Sequence, residues 1–269
     1  MNWTEKYKDK CVSREEAAKK VKSGDRLVAG HACGSPEPLL EAIVNRADTL
    51  KDVEIVHMVS MGQARYCQSE FSESFRHNSL FAGKTSRDAI HSGRGDYTPC
   101  FFSEIPGLFK NGDLPVDVAL VTVSEPDKLG NFSLGISVDY TLDAARSANT
   151  VIAEVTPHMP RISGNSFLNI NDIDFLVPSE REPIELPPPC IDEVEKAIGS
   201  NVAFLIKDGD CLQLGIGAIP DAVLTFLGDK KDLGIHSEMI SDGVMALVEK
   251  GVINGRCKNM HQGKIIITF

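Results

Sequence analysis

Residues 21 to 40, VKSGDRLVAGHACGSPEPLL, return in shortened form as IKDGDCLQLGIGAIPDAVL at 206 to 224, and this internal repeat restricts the fold more than any other feature. Gly24 falls on Gly209, Asp25 on Asp210 and Gly30 on Gly215. After one gap, KDVEIVHM (51 to 58) matches KDLGIHSE (231 to 238), with Lys51 on Lys231 and Asp52 on Asp232. Each copy reads as helix, strand, loop, helix, strand, so the chain is expected to hold two related α/β domains. In this register Glu238 stands opposite Met58. One copy has a carboxylate where the other has a thioether.

The local signals agree with that plan. SREEAAKKVKSGD places Ser13 as an N-cap with Glu16 three residues on, a last turn rich in lysine (Lys19, Lys20, Lys22), and Gly24 to end the helix. RLVAG reads as a buried strand, PEPLLEAIVNRADTL as a helix opened by proline, and DVEIVHMV as the next strand. VDVALVTV and NTVIAEV are rich in β-branched residues without alternation, as in a parallel sheet covered on both faces. Proline thickens in PSEREPIELPPPC, residues 178 to 190, which reads as a linker and divides domains at 1 to 185 and 186 to 269. The second stretch is much the shorter and runs out in KIIITF, a strand-like segment. The second domain is therefore expected to be incomplete in this chain.

Composition removes several functional classes. A formal charge of −10 argues against binding nucleic acid through a general basic surface. MNWTEKYKDK has no apolar signal core, and no run approaches the roughly 18 apolar residues of a membrane helix, so a cytoplasmic protein is expected. Seven cysteines without a C-x-x-C pair fit reduced thiols. The seven histidines show no i, i+4 pair, so no metal site is expected.

In open α/β sheets ligands collect at the carboxyl ends of the strands. Two loops of the second copy belong there and should be neighbours: QLGIGAIP (213 to 220) and HSEMISDG (236 to 243). The first is a glycine-rich turn whose N–H groups suit a phosphate or a developing oxyanion. The second presents Glu238, with no lysine or arginine between Lys231 and Lys250. Its apolar flanks fit a partly shielded carboxylate acting as acid, base, ligand or nucleophile. An exposed loop acid, or one favoured by the dipole of the following helix, fits the same residues. A dinucleotide fingerprint is incomplete, because Pro220 replaces the third glycine after Gly215 and Gly217. A serine hydrolase would need a G-x-S-x-G elbow, and the adjacent His236 and Ser237 point to opposite faces of a strand.

LQLGIGAIPDAV (212 to 223) and LGIHSEMISDGVMALVEKGVIN (233 to 254) resemble the acetyl-CoA hydrolase/transferase family, as do HMVSMGQARYCQ, FRHNSLFAGKTSRDAI, GDYTPCFFSEIPGLF and LPVDVALVTVSEPDKLGNFSLGISVDYT earlier in the chain. The resemblance implies the CoA-transferase fold and exchange of CoA between a short-chain acyl-CoA, of 4-hydroxybutyrate or butyrate, and a carboxylate such as acetate. It implies Glu238 as nucleophile, forming an acyl-glutamyl anhydride and then a glutamyl-CoA thioester. A glutamate, ordinarily ionised near neutral pH, needs no adjacent base for this. Gln213, Gly215 and Gly217 become candidates for oxyanion and CoA contacts, although glycines there also serve a tight turn alone. His31, Met61, Ser133 and Ser137 match positions lining the family's substrate cleft; a satisfied buried histidine accounts equally for His31. CoA enters as substrate, with no permanently bound cofactor, and a homodimer is implied. Family members continue past Phe269 with a glycine-rich CoA-binding loop, so these 269 residues alone are expected to turn over poorly. The alternatives are an acyl-CoA hydrolase, in which water replaces the acceptor acid, and a CoA-binding fragment without catalysis.

Overall fold

The computed structural model describes residues 3–269, which divide into two units at the Glu185–Leu186 junction. In the first, α1 (Trp3–Lys6) and α2 (Arg14–Ala18) lead to β1 (Arg26–Ala29), and α3 (Glu37–Val44) crosses over to β2 (Val53–His57). Next come β3 (Phe75–Ser79), α4 (Arg87–His91), β4 (Gly95–Tyr97), α5 (Ile105–Lys110) and β5 (Val118–Val123). The unit closes with β6 (Asn131–Ser133), α6 (Thr141–Ser147), β7 (Thr150–Val155), β8 (Phe167–Asn169) and β9 (Phe175–Pro178). Seven strands form one parallel sheet in the order β4-β3-β2-β1-β5-β7-β9, while β6 and β8 pair antiparallel.

Every position of β5 is buried, which is why VALVTV shows no polar alternation. The Ser13 and Glu16 capping box opens α2 as the spacing predicts. The helix stops at Ala18 rather than near Gly24. Two tight turns, Lys20 N–H to Ala17 O and Val21 N–H to Ala18 O, replace its last part and carry Val21 into the core. From β1 the chain winds one way to β4 and then the other way to β9. The order therefore reverses between β1 and β5, where such sheets open a crevice.

The second unit begins with α7 (Glu193–Leu205), whose N-cap Asp192 accepts from the N–H groups of Val194 and Glu195. β10 (Cys211–Leu212), α8 (Ala218–Thr225), β11 (Gly234–Ile235) and α9 (Asp242–Glu249) follow. Val223, Leu224, Leu227, Leu233, Ile235, Val244 and Leu247 make its core. β10 and β11 are parallel, and KIIITF contributes one parallel bridge, Ile266 to His236, rather than a full strand.

The repeat is visible bond for bond. Gly24 (φ 84°) donates to Lys51 O at 2.9 Å, and Gly209 (φ 82°) donates to Lys231 O at 2.9 Å. The Asp25 carboxylate accepts from Lys22 N–H at 2.7 Å, and that of Asp210 from Lys207 N–H at 2.8 Å. Asp52 (φ 54°) and Asp232 (φ 58°) share a left-handed backbone before the second strand of each copy. Glycine and aspartate recur because the turns demand residues that tolerate those angles.

Residues 179–192 contain no helix or strand. Among the described residues no helix is long and apolar enough to cross a membrane, and no group of three or more His, Cys, Asp or Glu is placed to hold a metal ion.

Candidate active site

Glu238 follows β11 by three residues and is exposed. Of the two readings the sequence allows, a partly shielded carboxylate and an exposed loop acid, this unit shows the exposed one, and the buried neighbour is Ser237, 7% exposed. The Ser237 hydroxyl donates to Leu214 O and accepts from Leu214 N–H, both at 3.0 Å, so it is fully engaged and closed to nucleophilic work. Those two bonds lay the glycine-rich loop after β10 beside the Glu238 loop. A second tie runs from Ser241 Oγ, at the N-cap of α9, to Asp221 in the first turn of α8 at 2.6 Å. On its other side the Glu238 carbonyl accepts from Thr268 N–H at 2.9 Å and Phe269 N–H at 3.2 Å. The backbone under the carboxylate is fixed while its side chain is left to solvent.

Gln213, Gly215 and Gly217 are exposed on the facing loop. The Gln213 amide reaches only its neighbour Leu214 O, at 3.4 Å. The N–H groups of Gly215, Ile216 and Gly217 donate to no acceptor among the described residues. Gly217, at φ 118°, is the N-cap of α8 and supplies no side-chain cap, which leaves that helix N-terminus open to an anion. Exposed Ile216, Ile219 and Ile240 add apolar surface to the same two loops.

In the first unit the loops after β1 and β2 run side by side, joined by Ala32 N–H to Val59 O at 2.8 Å. Met61 is half-buried there, its sulfur 3.7 Å from Cys33 Sγ. His31 and Ser137 are brought together beneath that surface. His31 Nε2 lies 2.9 Å from Asp139 Oδ2, which also accepts from Ser137 Oγ at 3.0 Å. Both side chains of the His31 and Asp139 pair are buried. Ser133 sits apart from this group: its hydroxyl accepts from the N–H groups of Gly135 and Ile162 and shapes the β6 end.

Sequence reasoning does not single out Asp139 or Tyr140. The Asp139 carboxylate takes four donors, adding Thr141 N–H at 3.1 Å and Thr141 Oγ1 at 3.0 Å to those above. Tyr140 stacks on the His31 ring, centroids 5.2 Å apart. The only signal in the sequence is an aspartate two residues before a helix, which reads as a cap.

Comparison with known proteins adds the decisive observation. Residues 1–187 match the family model of the acetyl-CoA hydrolase/transferase N-terminal domain. The chain belongs to the acetyl-CoA hydrolase/transferase family. Among curated members of this family it is 56% identical over 269 residues to the 4-hydroxybutyrate coenzyme A transferase of Clostridium kluyveri, covering 100% of this chain and 63% of that protein. It is 34% identical over 276 residues to the butyryl-CoA:acetate CoA-transferase of Anaerostipes caccae, covering 100% of this chain and 62% of the relative. The solved 4-hydroxybutyrate CoA-transferase of Porphyromonas gingivalis superposes with a TM-score of 0.87 at 38% identity, over 100% of this chain and 64% of that one. The chain thus spans less than two thirds of the length of these members. The acetyl-CoA hydrolase/transferase model covers the unit that holds His31 and Asp139, and the similarity to the transferases continues through Glu238.

Proposed function

We propose that the protein is a CoA-transferase, exchanging CoA between a short-chain acyl-CoA and a carboxylate through Glu238. The observation that carries this reading is the exposed Glu238 carboxylate on a pinned backbone, beside a glycine loop with unengaged N–H groups. The 56% identity to a 4-hydroxybutyrate coenzyme A transferase supports the class and 4-hydroxybutyryl-CoA as donor, and the 34% identity to a butyryl-CoA:acetate CoA-transferase supports butyryl-CoA as donor with acetate as acceptor.

Glu238 attacks the thioester carbonyl, the C–S bond breaks, and CoA leaves as thiolate from an acyl-glutamyl anhydride. The thiolate then attacks the glutamyl carbonyl and expels the acyl carboxylate, leaving a glutamyl-CoA thioester. An incoming carboxylate reverses these steps and departs as its own CoA thioester. No proton moves, which is why a carboxylate without a partner base serves. Each addition places negative charge on an oxygen, and the Gly215 to Gly217 loop is the proposed donor of hydrogen bonds to it; one lost donor of this kind costs roughly 2.7 to 4 kcal/mol. The carbonyl carbons of the anhydride and of the glutamyl-CoA thioester must be kept from water, whose attack would hydrolyse them. A cytoplasmic homodimer completes the proposal, in keeping with seven free cysteines.

Initial rates with butyryl-CoA and acetate, measured on this sequence within a protein of its relatives' full length, test this. Parallel double-reciprocal lines and loss of at least about a thousandfold in kcat for Glu238→Ala are expected. CoA release at full rate without acetate would assign a hydrolase instead, and an active Glu238→Ala variant would remove the glutamate from the chemistry.

A further inference from the structure

One buried cation of the second unit has no part in the proposed transfer. Lys258 is 7% exposed, and no ion pair among the described residues includes it. Its ammonium donates instead to two backbone carbonyls, Ile235 O at 2.8 Å and Lys264 O at 2.7 Å. A lysine charge leaves water only where acceptors meet it, so Lys258 stays inside only while these two carbonyls stand where they do. Its stem lies along β11 over Gly234, where a Cβ would come 2.6 Å from Lys258 Cγ. The first copy of the repeat carries Glu54 at the position of Gly234, so only the second copy leaves this path clear.

The two carbonyls belong to the chain segments that meet under Glu238. Ile235 closes β11, and Lys264 opens the run Ile265, Ile266, Ile267 beside it. Three isoleucines in a row give no alternation, so their side chains alone set no register, and a slip of one residue exchanges the faces. Lys258 ties the two segments at one level. Beyond that tie, Ile266 N–H donates to Ile235 O at 3.4 Å, Ser237 N–H to Ile266 O at 2.9 Å and Thr268 N–H to Glu238 O at 2.9 Å. A regular parallel ladder would send the Thr268 N–H to Ser237 O. It reaches one residue further, so Glu238 is the extra residue of a bulge, a device that re-aims a side chain. The loop that carries Lys258 is closed where Gly255 (φ 66°) and Gly263 (φ 72°) meet, with Gly263 N–H to Gly255 O at 2.9 Å.

We propose that Lys258 is a positioning residue: its ammonium sets the register of residues 264 to 268 against β11, and through it the backbone that presents Glu238. The consequence for transfer rests on the CoA-transferase reading above. Without the ammonium, Ile235 O and Lys264 O lose their common donor, the isoleucine run slips, and Thr268 and Phe269 no longer hold the Glu238 carbonyl.

The test is Lys258→Met, which keeps a buried apolar stem and removes the ammonium, with Lys258→Gln as a second variant, both within a protein of the relatives' full length. Hydrogen exchange should speed up at least about tenfold at the Ser237, Thr268 and Phe269 amides and change less than about twofold in α8 and α9. The first-order rate constant for forming borohydride-trapped glutamyl-CoA at saturating butyryl-CoA should fall roughly tenfold, with KM within about twofold. A merely structural role lowers the melting temperature and the active fraction, and moves neither that rate constant nor these three amides apart from the rest. Unchanged amides or an unchanged rate constant in a folded variant overturns the proposal. If neither variant folds, the wild type decides, because acetylation of the buried Lys258 amine and exchange at Thr268 then need the same opening. Equal opening rates support the tie, and acetylation while Thr268 stays protected overturns it. Glu238→Ala run alongside separates the two levels: its full activity rejects the transfer reading and leaves the exchange result standing, whereas its inactivity with unchanged Lys258→Met rate constants rejects only the positioning role.

Discussion

Two imidazoles lie stacked inside the first unit, His57 and His77, with ring centroids 4.3 Å apart and Tyr66 Oη 2.5 Å from His57 Nε2. Burial, reinforced by His77 and His31, holds His57 well below its ordinary pKa, and burial pushes His77 down to about 4. Both are neutral in the folded state near pH 7, whereas in the unfolded chain they take up protons near pH 6.5. The unfolded state therefore binds more protons below that value, and stability present above about pH 6.5 is lost as pH falls through about 4. Thermal melts of wild type and His77→Gln across this range check the sign: the wild-type melting temperature should fall steeply on acidification and that of the variant less so. Equal slopes would mean that the pair does not set acid stability. The same residues show why part of the fold escaped the sequence. Phe-Arg-His-Asn-Ser, β3, has too many polar groups to read as a central strand. They are tolerated because Asn78 Nδ2 finds Glu54 Oε1 at 2.8 Å, Asn78 Oδ1 accepts from Thr98, and His77 Nδ1 meets Ile55 O, partners that exist only once the sheet has formed.

At the scale of elements, the pieces read correctly were those whose rule is local: the Ser13 box, the proline-opened α3, and the apolar β5 and β7. The pairing of elements depends on long-range fit. Gly199, inside α7, shows this, since a Cβ there would come within 2.8 to 2.9 Å of the Ala222 and Val223 backbone in α8. Two effects compete in Gly199→Ala. Helix propensity favours alanine by about 1 kcal/mol. Overpacking against rigid backbone costs about 1 to 3 kcal/mol, and the helices have no flexible side chain to move aside at the contact. Net destabilisation in urea titration is the expected outcome; a gain in stability would show that α7 shifts away from α8 freely. At the site, Ser237 and Ser241 were legible as residues but not as ties, because their partners Leu214 and Asp221 belong to other elements.

Across the whole molecule, two units repeat one turn and one strand pair, and only the second places an acid where the first has Met58. That asymmetry made Glu238 visible in the sequence, since a repeat sets an expectation that one residue breaks. The His31, Asp139 and Tyr140 assembly gave no such signal. It joins residues from β1 and from beyond β5, which become neighbours only through the reversal of strand order. The proposed transfer requires that Glu238 carry CoA covalently. Incubation with butyryl-CoA, reduction with borohydride and mass spectrometry of the peptide bearing Glu238 test it most directly. Conversion of that carboxylate to an alcohol, dependent on the thioester and absent in Glu238→Ala, is the expected result. An unreduced Glu238 in protein that is exchanging CoA would contradict it.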